Sequence, residues 1–344
     1  MNDIQNAIYQ GDALQALQAL PDGACDTCVT SPPYFRLRDY GVPEQIGLED
    51  TPDAYIARLV EVFREVRRVL RNDGTLWVVI GDTYAGGGRN AGNKVPEPKG
   101  YKGLEHLGDT VKVGKLDGIK TKDMLGIPWM LAFALRADGW YLRQDIIWEK
   151  PNPMPESVTD RCTKSHEYVF LFSKSPRYYF DHAAIMEPVA ESTRQRMSQD
   201  VEHQKRSSRV PGKTNGNMKA VLPRYGGSKY TASPDEFYRT KSGNAYDYKP
   251  MRNKRDVWAV STTPFKGAHF AVFPEELVRP CIRAGSREGG MVLDPFLGSG
   301  TTAVVATQEG RKYMGIEINP RYVEIARERL RSTIVQETMR EANV

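Results

Sequence analysis

The chain is predicted to be α/β: a doubly wound, mostly parallel sheet with helices on both faces, plus one irregular inserted region. Three observations carry this expectation. Strand-like and helix-like periods alternate over residues 1–186 and again over 257–344. Residues 75–80 (TLWVVI) are apolar without alternation, as in a strand buried on both faces of a parallel sheet. Residues 292–302 read as a strand, a glycine-rich turn and a helix in direct succession.

Taken in order, residues 4–9 read as a short strand, Gly11-Asp12 as an acidic turn, and Leu14, Leu17 and Leu20 as one face of a helix. A second strand, 25–29, runs into Thr30-Ser31-Pro32-Pro33-Tyr34. Each proline fixes its φ at about −65° and lacks an N–H. Each also drives the preceding residue out of the helical region. The carbonyls of Ser31 and Pro32 are therefore held in a stiff, extended segment beside a hydroxyl and a phenol ring. Fixed acceptors next to an aromatic plate suit a planar ring bearing an exocyclic NH2; the plain alternative is a polar turn after a buried strand. Arg36, Arg38, Asp39 and Tyr40 follow in a loop within reach of whatever Tyr34 faces.

Thr51-Pro52 opens a helix, with an N-cap threonine and proline in the first turn. Ile56, Leu59, Val60, Phe63, Val66 and Leu70 form its stripe, and Asp73-Gly74 stops it before the 75–80 strand. Residues 86–120, rich in Gly, Lys and Pro, read as a long surface loop. A helix over 127–137 and a strand over 141–148 lead to the stiff segment 150–155 (KPNPMP). Residues 167–173 and 177–180, around Ser175-Pro176, read as a hairpin. The alternation then lapses from 187 to 256 and resumes with a helix after Phe273-Pro274, carrying Leu277, Val278 and Ile282. Strand 291–293, the turn from Asp294 to Thr302, helix 302–308 and strand 312–318 with Glu317 follow. Asn319-Pro320 caps a last helix whose inner face is Tyr322, Ile325, Ala326 and Leu330.

With 344 residues, 40% hydrophobic and 26% charged, the chain can bury a sizeable core. No apolar run reaches the length of a membrane span, and the first ten residues lack a secretory pattern. Four sparse cysteines fit a cytoplasmic address. Cys25 and Cys28 form a lone C-x-x-C with no second pair, so no metal site is expected. Charge is distributed unevenly: residues 187–256 carry 15 Lys or Arg against 8 Asp or Glu, a net +7 within a chain of net +5. Tyr225, Tyr230, Phe237, Tyr238, Tyr246 and Tyr248 are interleaved with those cations, a composition suited to a nucleic-acid surface or, more plainly, to a small irregular core.

In the turn after 292, Gly298 and Gly300 permit close approach of backbone to a ligand, and Glu317 ends the next strand about 20 residues on, where an acid accepts from ribose hydroxyls. The series points to adenosine binding. A carboxylate at Asp294 would repel a pyrophosphate and attract an amino group, which favours S-adenosyl-L-methionine over NAD.

These motifs resemble the β-class of DNA amino-methyltransferases. In that family a (D/S/N)-P-P-(Y/F) motif comes first, target recognition lies between, and D-x-F-x-G-x-G comes last. The resemblance covers residues 1–186 and 257–344, and places target recognition at 187–256. It implies a methyltransferase sheet in permuted order, with S-adenosyl-L-methionine cradled by Asp294, Phe296, Gly298, Gly300 and Thr301, and its ribose held by Glu317. Asp12 would lie near the adenine, and residues 269–274 (HFAVFP), with Phe273, would lead into the helix packed near the cofactor. Ser31, Pro32, Pro33 and Tyr34 would hold a flipped base.

The implied chemistry is transfer of a methyl group to N6 of adenine or N4 of cytosine in double-stranded DNA. Ser31 Oγ and the Pro32 carbonyl would draw the amine toward tetrahedral geometry, which is catalysis by orientation. S-P-P-Y tilts toward cytosine within the family, and the base stays open. RNA or protein amine methylation, and a silent DNA-binding homologue, are the alternatives. A homodimer would suit a palindromic site, and a nucleoid-associated, cytoplasmic protein is implied.

Overall fold

The computed structural model describes residues 4–86, 109–110, 113–114, 116–192, 251–262 and 273–342. Its strands are β1 Ala7–Gln10, β2 Cys25–Thr30, β3 Arg38–Asp39, β4 Leu70–Ile80, β5 Asp109–Thr110, β6 Tyr141–Glu149, β7 His166–Ser173, β8 Glu187–Pro188, β9 Met251–Arg252, β10 Val257–Ala259, β11 Met291–Asp294 and β12 Lys312–Glu317. Its helices are α1 Ala13–Gln18, α2 Pro52–Val69, α3 Ile127–Ala137, α4 Glu275–Gly285, α5 Thr301–Gln308 and α6 Pro320–Ala342.

Among the described residues, eight strands make one sheet in the order β1-β12-β11-β2-β4-β7-β6-β10. Seven share one direction, and β7 runs against its neighbours β4 and β6. From β11 the chain moves outward to β12, and from β2 it moves outward the other way to β4. The strand order therefore reverses at the β11–β2 pair, the place where doubly wound sheets open a crevice at their carboxyl ends. Helices α1, α2 and α3 pack against one another in sequence, and so do α4, α5 and α6, giving the two layers around the sheet.

Local sequence explains the elements. Thr51 Oγ1 accepts from Ala54 N at 3.2 Å, Pro52 opens α2, Asp53 sits in its first turn and Arg67 and Arg68 in its last. Its buried face is Tyr55, Ile56, Leu59, Val62, Phe63, Val66 and Val69. Every residue from Thr75 to Ile80 is buried, with helices over both sides. The strand begins earlier than the apolar run suggests. Leu70 already pairs with Cys25, so Asp73-Gly74 lies within β4 rather than ending α2, at a register shift in the β2–β4 ladder.

The predicted hairpin does not form. Both edges of β7 are occupied, by β4 and by β6, which leaves no ladder for residues 177–180. That segment instead runs along the sheet, with Tyr179 N donating to Asp73 O at 2.8 Å and Phe180 stacked on Trp77.

The chain divides into two units, Met1–Asp181 with Arg255–Val344, and His182–Lys254. In the second, β8 pairs with β9 and Arg252 Nε meets Glu187 Oε1 at 2.9 Å. Its six interleaved aromatics, like much of the 86–120 loop, lie outside the described residues. No described helix is long and apolar enough to cross a membrane, and no group of three or more His, Cys, Asp or Glu among the described residues is placed to hold a metal.

Candidate active site

The two sequence motifs meet at the β11–β2 boundary. Leu293 pairs with Cys28, so the two strands end within one residue of each other and their turns leave side by side. Thr30, the residue before Ser31, donates its hydroxyl to Asp294 Oδ1 at 2.6 Å across 264 positions of sequence. Thr302 at the start of α5 donates to Oδ2 at 2.6 Å, and Phe296 N donates to Oδ1 at 3.0 Å. Asp294 is 1% exposed, and burial pushes its carboxyl up to about 6 against the opposing pull of these donors. Its oxygens are occupied within the protein, so Asp294 buckles the two turns together.

On the other side of that turn stands Glu317, at the end of β12. Gly298 N donates to its Oε2 and Asn319 N to its Oε1, each at 2.8 Å. Burial pushes this carboxyl up to about 7. Gly298 has φ +55°, and a Cβ there would project into open space, its nearest neighbour being Phe296 O at 4.0 Å. Gly300 has a different reason to be glycine. Its φ is +88°, and a Cβ would come within 2.8 Å of Ala326 Cβ on α6, so helix packing as well as ligand approach excludes a side chain.

Arg329, on α6, clamps the same turn. It donates to Ser299 O at 2.9 Å, to Ser299 Oγ at 3.0 Å and to Thr301 Oγ1 at 3.0 Å, and it reaches Glu275 at 3.4 Å. Thr301 is thus buried and committed to Arg329. Glu275 opens α4, and Phe273, half-buried, lies two residues ahead of it. Residues 269–272 of that segment lie outside the described residues. On the next strand, Gly11 N donates to Glu317 O at 3.0 Å, and Asp12 Oδ1 caps α1 through Gln15 N at 2.9 Å. Asp12, Asp294, Gly298 and Glu317 therefore line up along the carboxyl ends of β1, β12 and β11.

This rim fits S-adenosyl-L-methionine. It offers a carboxylate whose remaining lone pairs can accept from ribose hydroxyls, and beside it the open space a Cβ on Gly298 would fill. Tyr40 and Tyr322 stand edge to face with centroids 6.1 Å apart; burial raises both phenols, Arg38 opposes that rise and Glu317 adds a smaller push in the same direction as burial.

Past β2, Tyr55 of α2 donates its hydroxyl to Pro33 O at 2.8 Å. Among the described residues none donates to the Pro32 carbonyl. The Tyr34 ring lies on Gly81 at the end of β4, where a Cβ would come within 2.8 Å of its Cε2. Tyr34 donates its hydroxyl to Glu167 Oε2 at 2.7 Å, and Lys150 forms an ion pair with Glu167 Oε1. Burial and the Glu167 carboxylate raise the Tyr34 phenol well above its ordinary value. Arg36, expected near Tyr34, turns instead to Glu49 O at 3.0 Å. Cys25 and Cys28 are buried free thiols, and burial pushes Cys25 up to about 12, so neither is a nucleophile.

Nothing in the sequence assigns Glu167, Lys150, Arg329 or Tyr55 to the site, and Tyr322 reads there only as the inner face of the last helix. Each meets its partner across the fold, 17 positions away for Lys150 and Glu167 and 133 for Glu167 and Tyr34. The one available signal was a charged residue at the end of an apolar strand, as in Glu167 ahead of YVFLFS and Lys150 after IIWE.

Known proteins resemble this chain in sequence and in fold. Residues 25–328 match the model of the N6/N4 DNA methylase family. The chain is 45% identical over 324 residues to the type II methyltransferase M.Cfr9I of Citrobacter freundii, covering 94% of this chain and 87% of the relative. It is 43% identical over 323 residues to M.SmaI of Serratia marcescens, covering 94% and 90%. Among solved structures, the cytosine-N4-specific PvuII DNA methyltransferase matches with a TM-score of 0.59 at 18% identity, covering 94% of this chain and 86% of that one. TTHA0409 of Thermus thermophilus, complexed with S-adenosyl-L-methionine, matches with a TM-score of 0.54 at 22% identity, covering 95% and 94%. At those identities the structures speak to the fold, and the family rests on the sequence matches. The chain belongs to the N6/N4 DNA methylase family and is an S-adenosyl-L-methionine-dependent DNA methyltransferase.

Proposed function

We propose that this enzyme methylates the exocyclic amine of a base rotated out of duplex DNA, and that the base is cytosine. The observation that carries the reading is the Thr30–Asp294 hydrogen bond, which sets the Ser31-Pro32-Pro33-Tyr34 turn beside the glycine turn. S-adenosyl-L-methionine supplies an electrophilic methyl group on its sulfonium. Glu317, Asp12 and the backbone around Gly298 and Gly300 would hold it, with Phe273 and Phe296 as apolar walls. Asp294 and Thr301 act by fixing the turn.

Ser31 Oγ and the Pro32 carbonyl accept the two N–H bonds of the target amine. The amine lone pair, otherwise delocalised into the ring, is thereby turned toward the methyl group. Holding reactants in this way contributes up to about 7–11 kcal/mol to lowering a barrier. The Tyr34 ring supplies a face for the base. Serine at the first motif position supports cytosine, in keeping with the tilt of S-P-P-Y within the family.

Residues 187–256, with their net +7 and interleaved aromatics, are assigned target recognition within a 1–186, 187–256, 257–344 organisation. Two copies would act on a two-fold symmetric site on nucleoid DNA in the cytoplasm; exposed Ile334, Val335 and Met339 on α6 support a contact between copies. Nucleoside analysis of DNA methylated by the purified enzyme tests the base. N4-methylcytosine bears the proposal out, and N6-methyladenine overturns it. Sedimentation with and without DNA tests the dimer.

A further inference from the structure

The one reversed strand of the sheet brings an acidic residue to the catalytic edge. Because β7 runs against β4 and β6, its first residues lie where theirs end: Tyr168 pairs with Ile80, and Glu167 with Trp148. Glu167 thus stands against Gly81, whose Cβ would come within 3.2 Å of its carboxyl carbon. One carboxylate oxygen receives the Tyr34 hydroxyl at 2.7 Å, and the other receives Lys150, the residue just past β6. Lys150 Nζ also lies 4.4 Å from the centre of the Trp148 ring. The Glu167 and Lys150 side chains are 16% and 19% exposed, so the pair is held largely out of water.

We propose that Glu167, anchored by Lys150, is a positioning residue that sets both the placement of the Tyr34 ring and the hydrogen-bond polarity at Ser31. An ionised carboxylate only accepts, so the Tyr34 hydroxyl must spend its single proton on Glu167. The Tyr34 oxygen is left able only to accept. The Ser31 side chain acts on that phenol as a hydrogen-bond donor does, favouring its charged form. When Ser31 donates there, its own lone pairs face the incoming amine as acceptors. Without Glu167, the Tyr34 proton is free to point at Ser31, whose proton then turns toward the amine and opposes it. Glu167 touches neither substrate nor cofactor. It acts through Tyr34.

The proposal rests on the reading of Ser31 and Tyr34 as the base grip, and the experiment separates the two. Steady-state methylation of duplex DNA and cofactor affinity are measured for S31A, Y34F, E167Q, E167Q/Y34F and K150M/E167Q. S31A inactive with normal cofactor binding upholds the base grip; S31A at full activity overturns that reading and this one with it. Given an inactive S31A, E167Q lowers kcat on the order of tenfold or more, with the DNA KM and cofactor Kd within about twofold. E167Q imposed on Y34F then has no further effect. K150M/E167Q removes any unpaired charge and restores thermal stability while kcat stays low. Full kcat in E167Q, multiplicative losses in E167Q/Y34F, or recovery of kcat together with stability in K150M/E167Q would each overturn the proposal.

Discussion

Thr30→Val removes one hydroxyl and keeps the shape of the side chain, and it cuts the link between the two motif-bearing turns. Thr30 Oγ1 donates at 2.6 Å to Asp294, whose carboxyl is 1% exposed and already pushed up to about 6 by burial. Relative to an ordinary value of 3.8, that rise disfavours the ionised form in the folded state by about 3 kcal/mol. The sign follows from the direction. With its folded value raised, Asp294 contributes stability at low pH that is lost as pH rises through about 4 to 6.

Thr30 opposes that loss by favouring the carboxylate. Its hydrogen bond to a charged acceptor is worth about 1.5–3 kcal/mol, and to a neutral one about 1 kcal/mol. T30V should therefore cost about 1.5–3 kcal/mol at pH 8 and about 1 kcal/mol at pH 5. Urea unfolding at both pH values, followed by fluorescence of the five tryptophans, measures the difference. An equal penalty at the two pH values, or less than about 0.5 kcal/mol at pH 8, would refute the assignment of Asp294 as a buried, ionising buckle.

Three further outcomes follow from the same geometry. Glu317 accepts backbone N–H bonds on both oxygens and is pushed up to about 7, so protonation makes one oxygen a donor and opposes both these bonds and a ribose hydroxyl. Cofactor affinity measured by calorimetry should fall as pH drops below about 7, and E317Q should be weaker and flat across that range. Gly300→Ala meets Ala326 at 2.8 Å and a φ of +88°, the latter alone costing about 1–2 kcal/mol; Ala326→Gly added to it should recover part of the stability, and full recovery would mean the backbone was never strained. Arg329→Met frees Ser299 O and Thr301 Oγ1, so cofactor Kd should rise on the order of tenfold while DNA binding measured by anisotropy stays put.

Local signals and non-local ones fared differently in the sequence. The α2 start was legible because Thr51 and Pro52 act on their own turn, and 75–80 because burial on both faces leaves an unbroken apolar run. Ser31-Pro32-Pro33-Tyr34 and the Asp294–Glu317 series were legible because each motif is contiguous or nearly so. The sheet order put their strands side by side, as a doubly wound fold requires at its switch point.

What stayed hidden depends on pairing across the sheet. The 177–180 segment has strand-like residues, but both edges of β7 were already taken by strands from elsewhere in the chain. Glu167 and Lys150 looked like ordinary charged ends of strands, and only the reversal of β7 brings Glu167 to Tyr34 across 133 positions. The turn's own sequence makes Gly300 room for a ligand, and Ala326 supplies a second cause that nothing in the turn itself discloses.

The central claim is that a methyl donor on the β11–β12 rim and a base held by the turn after β2 meet in one cleft while depending on separate residues. Its most direct test is transfer of labelled methyl groups from S-adenosyl-L-methionine to duplex DNA by wild type and S31A, with cofactor Kd measured on the same preparations. The predicted result is label on an exocyclic amine with wild type, none with S31A, and cofactor affinities within about twofold. Transfer by S31A at the wild-type rate, or loss of cofactor binding along with transfer, would contradict it.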